Sequence, residues 1–128
     1  MATPTITHQL VLKVTGNGQP SVNGPTVSGT DEQVKLPTIT AGATNVQVGL
    51  AFTIANLKSI VITTTQAVTL KTNSTSSPGN TFSLTPSGLF SWQAGSGETC
   101  PFTADVTTLY FANSGANDAY VTIRCLLP

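Results

Sequence analysis

Charge is what this sequence has least of. Its 128 residues include five Lys or Arg and five Asp or Glu, so charged side chains make up 8% beside 39% hydrophobic ones, and the formal net charge is zero. A typical soluble domain carries about 25% charged residues. The five cations, Lys13, Lys35, Lys58, Lys71 and Arg124, are scattered along the chain. No window gathers enough positive charge to displace phosphate counterions or to grip an anionic membrane surface, so neither nucleic acid nor membrane is an expected partner. Disorder requires low hydrophobicity together with high net charge, which this chain does not combine. No stretch approaches the roughly eighteen apolar residues of a spanning helix. The opening MATPTITHQL has neither the basic nor the apolar segment of a secretory signal, so the product is expected to stay where it is made. In a reducing cytoplasm the two cysteines, Cys100 and Cys125, are expected as thiols.

Titratable groups are equally scarce, and this limits chemistry. His8 is the single histidine. A nucleophilic site would pair it with a serine and with Asp31, Asp105 or Asp118, but no G-x-S-x-G elbow is present to hold the serine. His8 is therefore read as a surface or edge residue of an N-terminal arm. A glycosidase-like carboxylate pair would have to come from Asp31, Glu32, Glu98, Asp105 and Asp118. Asp31 and Glu32 are neighbours in an expected loop and are read as solvated; the other three sit beside Gly, Pro or Asn and are read as turn formers. No C-x-x-C or H-x-x-x-H spacing supports a metal, and Asn117-Asp118 alone do not make a calcium loop. Gly16-Asn17-Gly18 and Gly95-Ser96-Gly97 complete no phosphate-binding loop. Asn73-Ser74-Thr75 matches a glycosylation sequon, read as coincidental. Phe90 and Trp92 share a face at strand spacing and are assigned to the core, with a sugar-stacking platform as the alternative. No catalytic, cofactor-binding or metal-ligating residue is assigned, no cofactor is expected, and the chain is read as a non-enzyme.

What the sequence does have is strand period, with threonine filling the polar positions. Threonine is β-branched, suits a pleated face, and makes an exterior polar without charge. Leu10, Leu12 and Val14 alternate up to the turn Asn17-Gly18. The stretch QPSVNGPTVSGTDEQ reads as a loop punctuated by Asn23-Gly24-Pro25. A short strand around Val34 and Leu36, with Ile39 as its optional end, is interrupted by Pro37. Alternation is clean through NVQVGLAFTIA (45–55). Strands are expected at Ile60–Ile62 and Val68–Leu70, joined near Thr65-Gln66, then at Phe82–Leu84, stopped by Pro86, and at 88–94. Residues 74–80 read as a loop and 100–102 as a short extended piece. TTLYFAN (107–113) and AYVTIRCLL (119–127) read as a hairpin around 114–118, with Val121, Ile123 and Cys125 on one face and Tyr120, Thr122 and Arg124 on the other. The fold class is all-β: one β-sandwich domain over 1–128, in the form of a jelly roll of about eight antiparallel strands, with 1–9 as a possible extended arm.

The segment LKSIVITTTQAVTLKTNSTSSPGNTFSLTPSGLFSW (57–92), followed by TTLYFANSGANDAYVTIRCLL (107–127), resembles capsid cement or decoration proteins of tailed bacteriophages. The likeness lies in a run such as VTLKTN, a Ser/Pro/Gly loop, an aromatic strand and a closing pair with Asn-Ser-Gly at its tip, and the two segments lie within a span of a little over half the chain. It implies a jelly-roll structural protein on the virion surface, made in the host bacterial cytoplasm. Its partner would be the major capsid protein, and it would self-associate as a dimer or trimer. The alternatives are a carbohydrate-binding or adhesion module of a tail or host-range structure, or a tail or head-completion piece.

Overall fold

The computed structural model describes residues 4–12 and 22–128. Eleven strands run through the described residues: β1 (Ile6–Leu12), β2 (Val22–Gly29), β3 (Asp31–Lys35), β4 (Thr38–Ile39), β5 (Val46–Val48), β6 (Ser59–Thr64), β7 (Val68–Thr72), β8 (Thr81–Leu84), β9 (Phe90–Gln93), β10 (Leu109–Ala112) and β11 (Ala119–Leu127). A single 3-10 turn, Ile54–Asn56, precedes β6. All strand pairing is antiparallel, in three sheets. The largest has the order β3-β11-β6-β9, with β4 continuing the line of β3 along β11; the second has the order β5-β10-β7-β8; β1 and β2 form a two-stranded hairpin. Among the described residues the protein is all-β.

The two larger sheets share one core. Ile60, Ile62, Val121, Ile123 and Cys125 face it from the five-stranded sheet, and Val48, Val68, Leu70, Leu109 and Phe111 from the four-stranded one. Each of these comes from the apolar half of an alternating strand, as period-2 patterning requires. Phe102 lies between them at 2% exposure, edge-on to Phe52, Phe82 and Phe90 with ring centroids 5.1, 5.5 and 5.8 Å away. Residues 100–102, expected as an extended piece, form no strand and instead deliver this central aromatic.

Several elements differ from the sequence reading. β10 and β11 do not form a hairpin: β10 pairs with β5 and β7, and β11 with β3, β4 and β6. Both strands have one strongly apolar face, and these faces meet across the core instead of lying side by side. Asn113, fully buried, holds the corner between them. Its Nδ2 donates to Ile39 O at 3.0 Å and Asn117 O at 2.8 Å, while its Oδ1 accepts from Gly115 N at 3.0 Å. The turn near Thr65-Gln66 likewise passes the chain from one sheet to the other.

The expected loop over 19–33 contains β2 and the start of β3. Gly24-Pro25 is no turn; it lies opposite a register shift between Gln9 and Val11, where the missing proline N–H interrupts a ladder already broken. Residues 6–9, expected in an extended arm, pair with β2. The expected end of that first strand, Lys13 to Gly18, lies outside the described residues. In 45–55 burial does alternate through Val48, Leu50 and Phe52, yet only Val46–Val48 is strand. Phe52 keeps a single bridge to Val106 before the 3-10 turn.

Candidate functional site: the outer face of the five-stranded sheet

Alternation places a second set of side chains on the far side of the five-stranded sheet, away from the core. The register puts Glu32, Leu126, Ser59 and Gln93 in one row across β3, β11, β6 and β9. Leu126 and Ser59 are 0% exposed and Gln93 is 2% exposed. An exterior row is buried because the β1–β2 hairpin lies over it.

Hydrogen bonds through His8 and Gln93 hold the hairpin down. His8 of β1 places Nδ1 3.0 Å from Ser59 Oγ and its Nε2 against the Glu32 carboxylate. A carboxylate only accepts, so Nε2 carries the proton, and with a neutral ring Ser59 donates to Nδ1. Glu32 also accepts from Arg124 at 3.4 Å. Gln93 reaches the backbone of both hairpin strands: in the amide orientation that satisfies both ends, Nε2 donates to Pro25 O at 3.1 Å and the oxygen accepts from Leu10 N at 3.3 Å. It thereby joins the strands beside the irregularity in their ladder. At the junction, a Cβ on Gly29 would stand 2.0 Å from Leu127 O, so only glycine permits this approach.

Ser59, His8 and Glu32 have the connectivity of a nucleophile, a base and an orienting carboxylate. The sequence reading considered His8 with Asp31, Asp105 or Asp118; the partner is Glu32, which was expected to be solvated in a loop but sits in β3 with its side chain 15% exposed. With Ser59 fully covered by the docked hairpin, no substrate carbonyl reaches its Oγ. The cluster acts as a polar clip. Ser59-Ile60 and Cys125-Leu126 are consecutive buried residues, which strict alternation does not allow unless both faces are covered.

The other candidates are dispersed. Asp105 Oδ1 accepts from Ile54 N and Asp118 Oδ1 from Ala41 N, each at 2.9 Å, the loop-holding role expected of them. Among the described residues no three His, Cys, Asp or Glu converge as a metal cluster. Phe90 and Trp92 pack against the core, and Trp92 Nε1 donates to Glu98 O at 2.9 Å, so with Tyr110 on the outer side of the other sheet no aromatic platform is assembled. Asn73 of the sequon has positive φ, and its Nδ2 donates to Asp105 O while its Oδ1 accepts from Thr107 N, each at 2.8 Å. The amide a glycan would need is thus committed to the fold. Both cysteines are free; burial, and secondarily the Asp31 carboxylate, push the Cys125 thiol up to about 12.

Beyond the hairpin the same face stands open. Val34, Leu36 and Tyr120 are 42%, 69% and 59% exposed there. The unchanged register on either side of Pro37 sets Leu36 opposite Thr122. Leu89, just before β9, is also exposed. Comparison with known proteins finds no matching family model, no similar curated protein and no similar solved structure.

Proposed function

We propose that this chain is a structural virion protein that binds the outside of a tailed-bacteriophage capsid and braces contacts between capsomers. The strand orders support a jelly-roll sandwich as its framework. Taking β3 and β4 as one position, each large sheet holds four strands, and the connections β4–β5, β5–β6, β6–β7, β8–β9, β9–β10 and β10–β11 all cross between sheets. Double-sheet jelly rolls of eight strands recur in viral capsid and lectin domains.

The observation that carries the proposal is the open half of the five-stranded exterior, where Val34, Leu36 and Tyr120 stand exposed amid threonines and Arg124 is the one cation among the described residues. Covering such a face costs little desolvation of charge. A protein that binds only the assembled shell stabilises it by RT ln(1 + [L]/Kd), about 2.7 kcal/mol per site at a hundredfold excess over Kd. Contact with two capsomers at once adds avidity. The major capsid protein is the proposed partner, the capsid surface the proposed location, and a dimer or trimer about a local symmetry axis the proposed form.

Co-sedimentation with empty heads tests this. The wild-type chain should pellet with heads, and Leu36→Asp should remain in the supernatant while keeping its thermal midpoint. Failure of the wild type to pellet with any head preparation sinks the proposal.

A further inference from the structure

The two-stranded hairpin has a second feature that holding it down does not explain. A groove of about 250 Å³ runs beside it, with Thr7, His8, Gln9 and Leu10 along one wall and Val61 and Arg124 facing them from the main sheet. Four consecutive residues on one wall mean that the groove follows the strand's edge, since a strand's face would contribute every second residue. Among the described residues β1 pairs only with β2, so its other edge has no strand partner.

Sheet edges are normally guarded by short length, proline or charge, and the other edges here follow that rule. β5 has three residues, β8 and β9 have four each, the β3–β4 line is broken by Pro37 and carries Lys35, and β2 contains Pro25. β1 has seven residues, ITHQLVL, with no proline, lysine or glycine. Its regular portion, Ile6–Gln9, lies before the register shift and adjoins the groove. The groove floor is apolar at Val61. Its one formal charge among the described residues is Arg124, whose side chain is 58% exposed and whose contact with Glu32 is a long 3.4 Å. No carboxylate lines the groove.

We infer that the β1 edge is a strand-addition site for an extended segment of another protein, about four residues long and carrying a carboxylate. Added beside β1, such a segment would make main-chain hydrogen bonds along Thr7–Gln9 over roughly 10 Å, the Leu10 N–H being committed to Gln93. It would lay an apolar side chain on Val61 and present its carboxylate to Arg124, forming a charge-assisted pair. A second copy of this chain fits poorly. Antiparallel pairing of two β1 strands keeps both sheets facing the same way, so the two main bodies would compete for the space beneath. The segment need not belong to a capsid, and the site stands or falls apart from shell binding.

The probe is a blocked peptide, acetyl-Thr-Val-Thr-Glu-Thr-amide, whose Val and Glu share one face as the paired Val61 and Arg124 do; it is titrated into the isotopically labelled full chain and followed by amide and arginine Nε shifts. Three comparators are used: the Gln-for-Glu peptide, the peptide N-methylated at alternate residues, and the Arg124→Gln protein with the parent peptide. Shifts confined to Thr7–Leu10, Val61 and Arg124, lost on N-methylation and weakened roughly tenfold by either charge removal, are expected. Shifts at β5, β8 or β9 instead, equal binding of the N-methylated peptide, equal binding by Arg124→Gln, or no shift at 5 mM peptide (about the weakest affinity such a contact would have) would each overturn the inference.

Discussion

The two large sheets turn opposite kinds of exterior to their surroundings. Outside the four-stranded sheet, Gln47, Tyr110, Lys71 and Thr81 form one row, with Ala112, Thr69 and Ser83 in the next, and none of them is fully buried. That face has no cover among the described residues. Outside the five-stranded sheet, Leu126, Ser59 and Gln93 are buried beneath a hairpin drawn from the chain's own N-terminal part. The rest of that face stays open and partly apolar. One sheet therefore has a core on one side, and the other has a core on one side and a small second layer on part of the other. The five-stranded sheet thus has an exterior covered in part by this chain and in part exposed, and the exposed part is the face proposed to meet a partner.

The largest effect should come from the buried exterior. Leu126→Ala removes side-chain atoms that are enclosed although they point away from the main core, and it should cost about 2–5 kcal/mol in denaturant unfolding, the range for enclosed leucines. A loss under about 0.5 kcal/mol would mean that the hairpin does not cover this row in solution.

Next is the clip itself. His8→Ala leaves Ser59 and Glu32 without their partner, and a charge-assisted hydrogen bond of this kind contributes about 1.5–3 kcal/mol. The hairpin should then open locally. Amide exchange in β1 should rise at least about tenfold while β6 and β11 keep their protection. A uniform rise through every strand would show the hairpin to be part of one cooperative unit, and the contrast between layers would disappear.

Cys125 sharpens the comparison because it neighbours Leu126 on β11 but faces the core. Burial first, then Asp31, raises its thiol from 9.0 to about 12, so in the folded protein it keeps its proton at pH values where an unfolded thiol loses it. The folded state binds more protons across that window. Any stability tied to this group is therefore intact below pH 9 and declines as pH climbs from 9 towards 12. At pH 8 a maleimide should label half-buried Cys100 and leave Cys125 untouched, in the wild type and in His8→Ala alike. Labelling of Cys125 once the clip is cut would mean that the hairpin, and not the core, shields β11.

Much of this was legible in the chain. The alternation of Val121, Ile123 and Cys125 against Tyr120, Thr122 and Arg124 assigns the two sides of β11 correctly. Breaks at Pro86 and in 74–80 fall where the strands stop. Pairing was less legible, because an apolar stripe states that a strand has a buried side without naming which sheet it joins. So 107–113 and 119–127 looked like a hairpin until Asn113 proved to be a buried corner. Gly24-Pro25 misled for a different reason: the same dipeptide serves a turn or a ladder irregularity, and only the partner strand distinguishes them. The clip was hidden because His8, Glu32 and Ser59 lie 24 and 51 residues apart and no local pattern links them.

The smallest expected effect is also the control on which the comparison rests. Thr69, half-buried on the open exterior of the four-stranded sheet, should tolerate alanine within about 0.5 kcal/mol, because nothing encloses its side chain and water replaces what is removed. Leu36 should tolerate alanine equally well although it is apolar and belongs to the other sheet, since at 69% exposure it has little packing to lose. If both are neutral while Leu126→Ala is not, cover by the hairpin, and neither sheet identity nor hydrophobicity, separates the two exteriors. Should Leu36→Ala prove as costly as Leu126→Ala in the isolated chain, the open half is already occupied in solution, and the face proposed to meet a capsid is not free to do so.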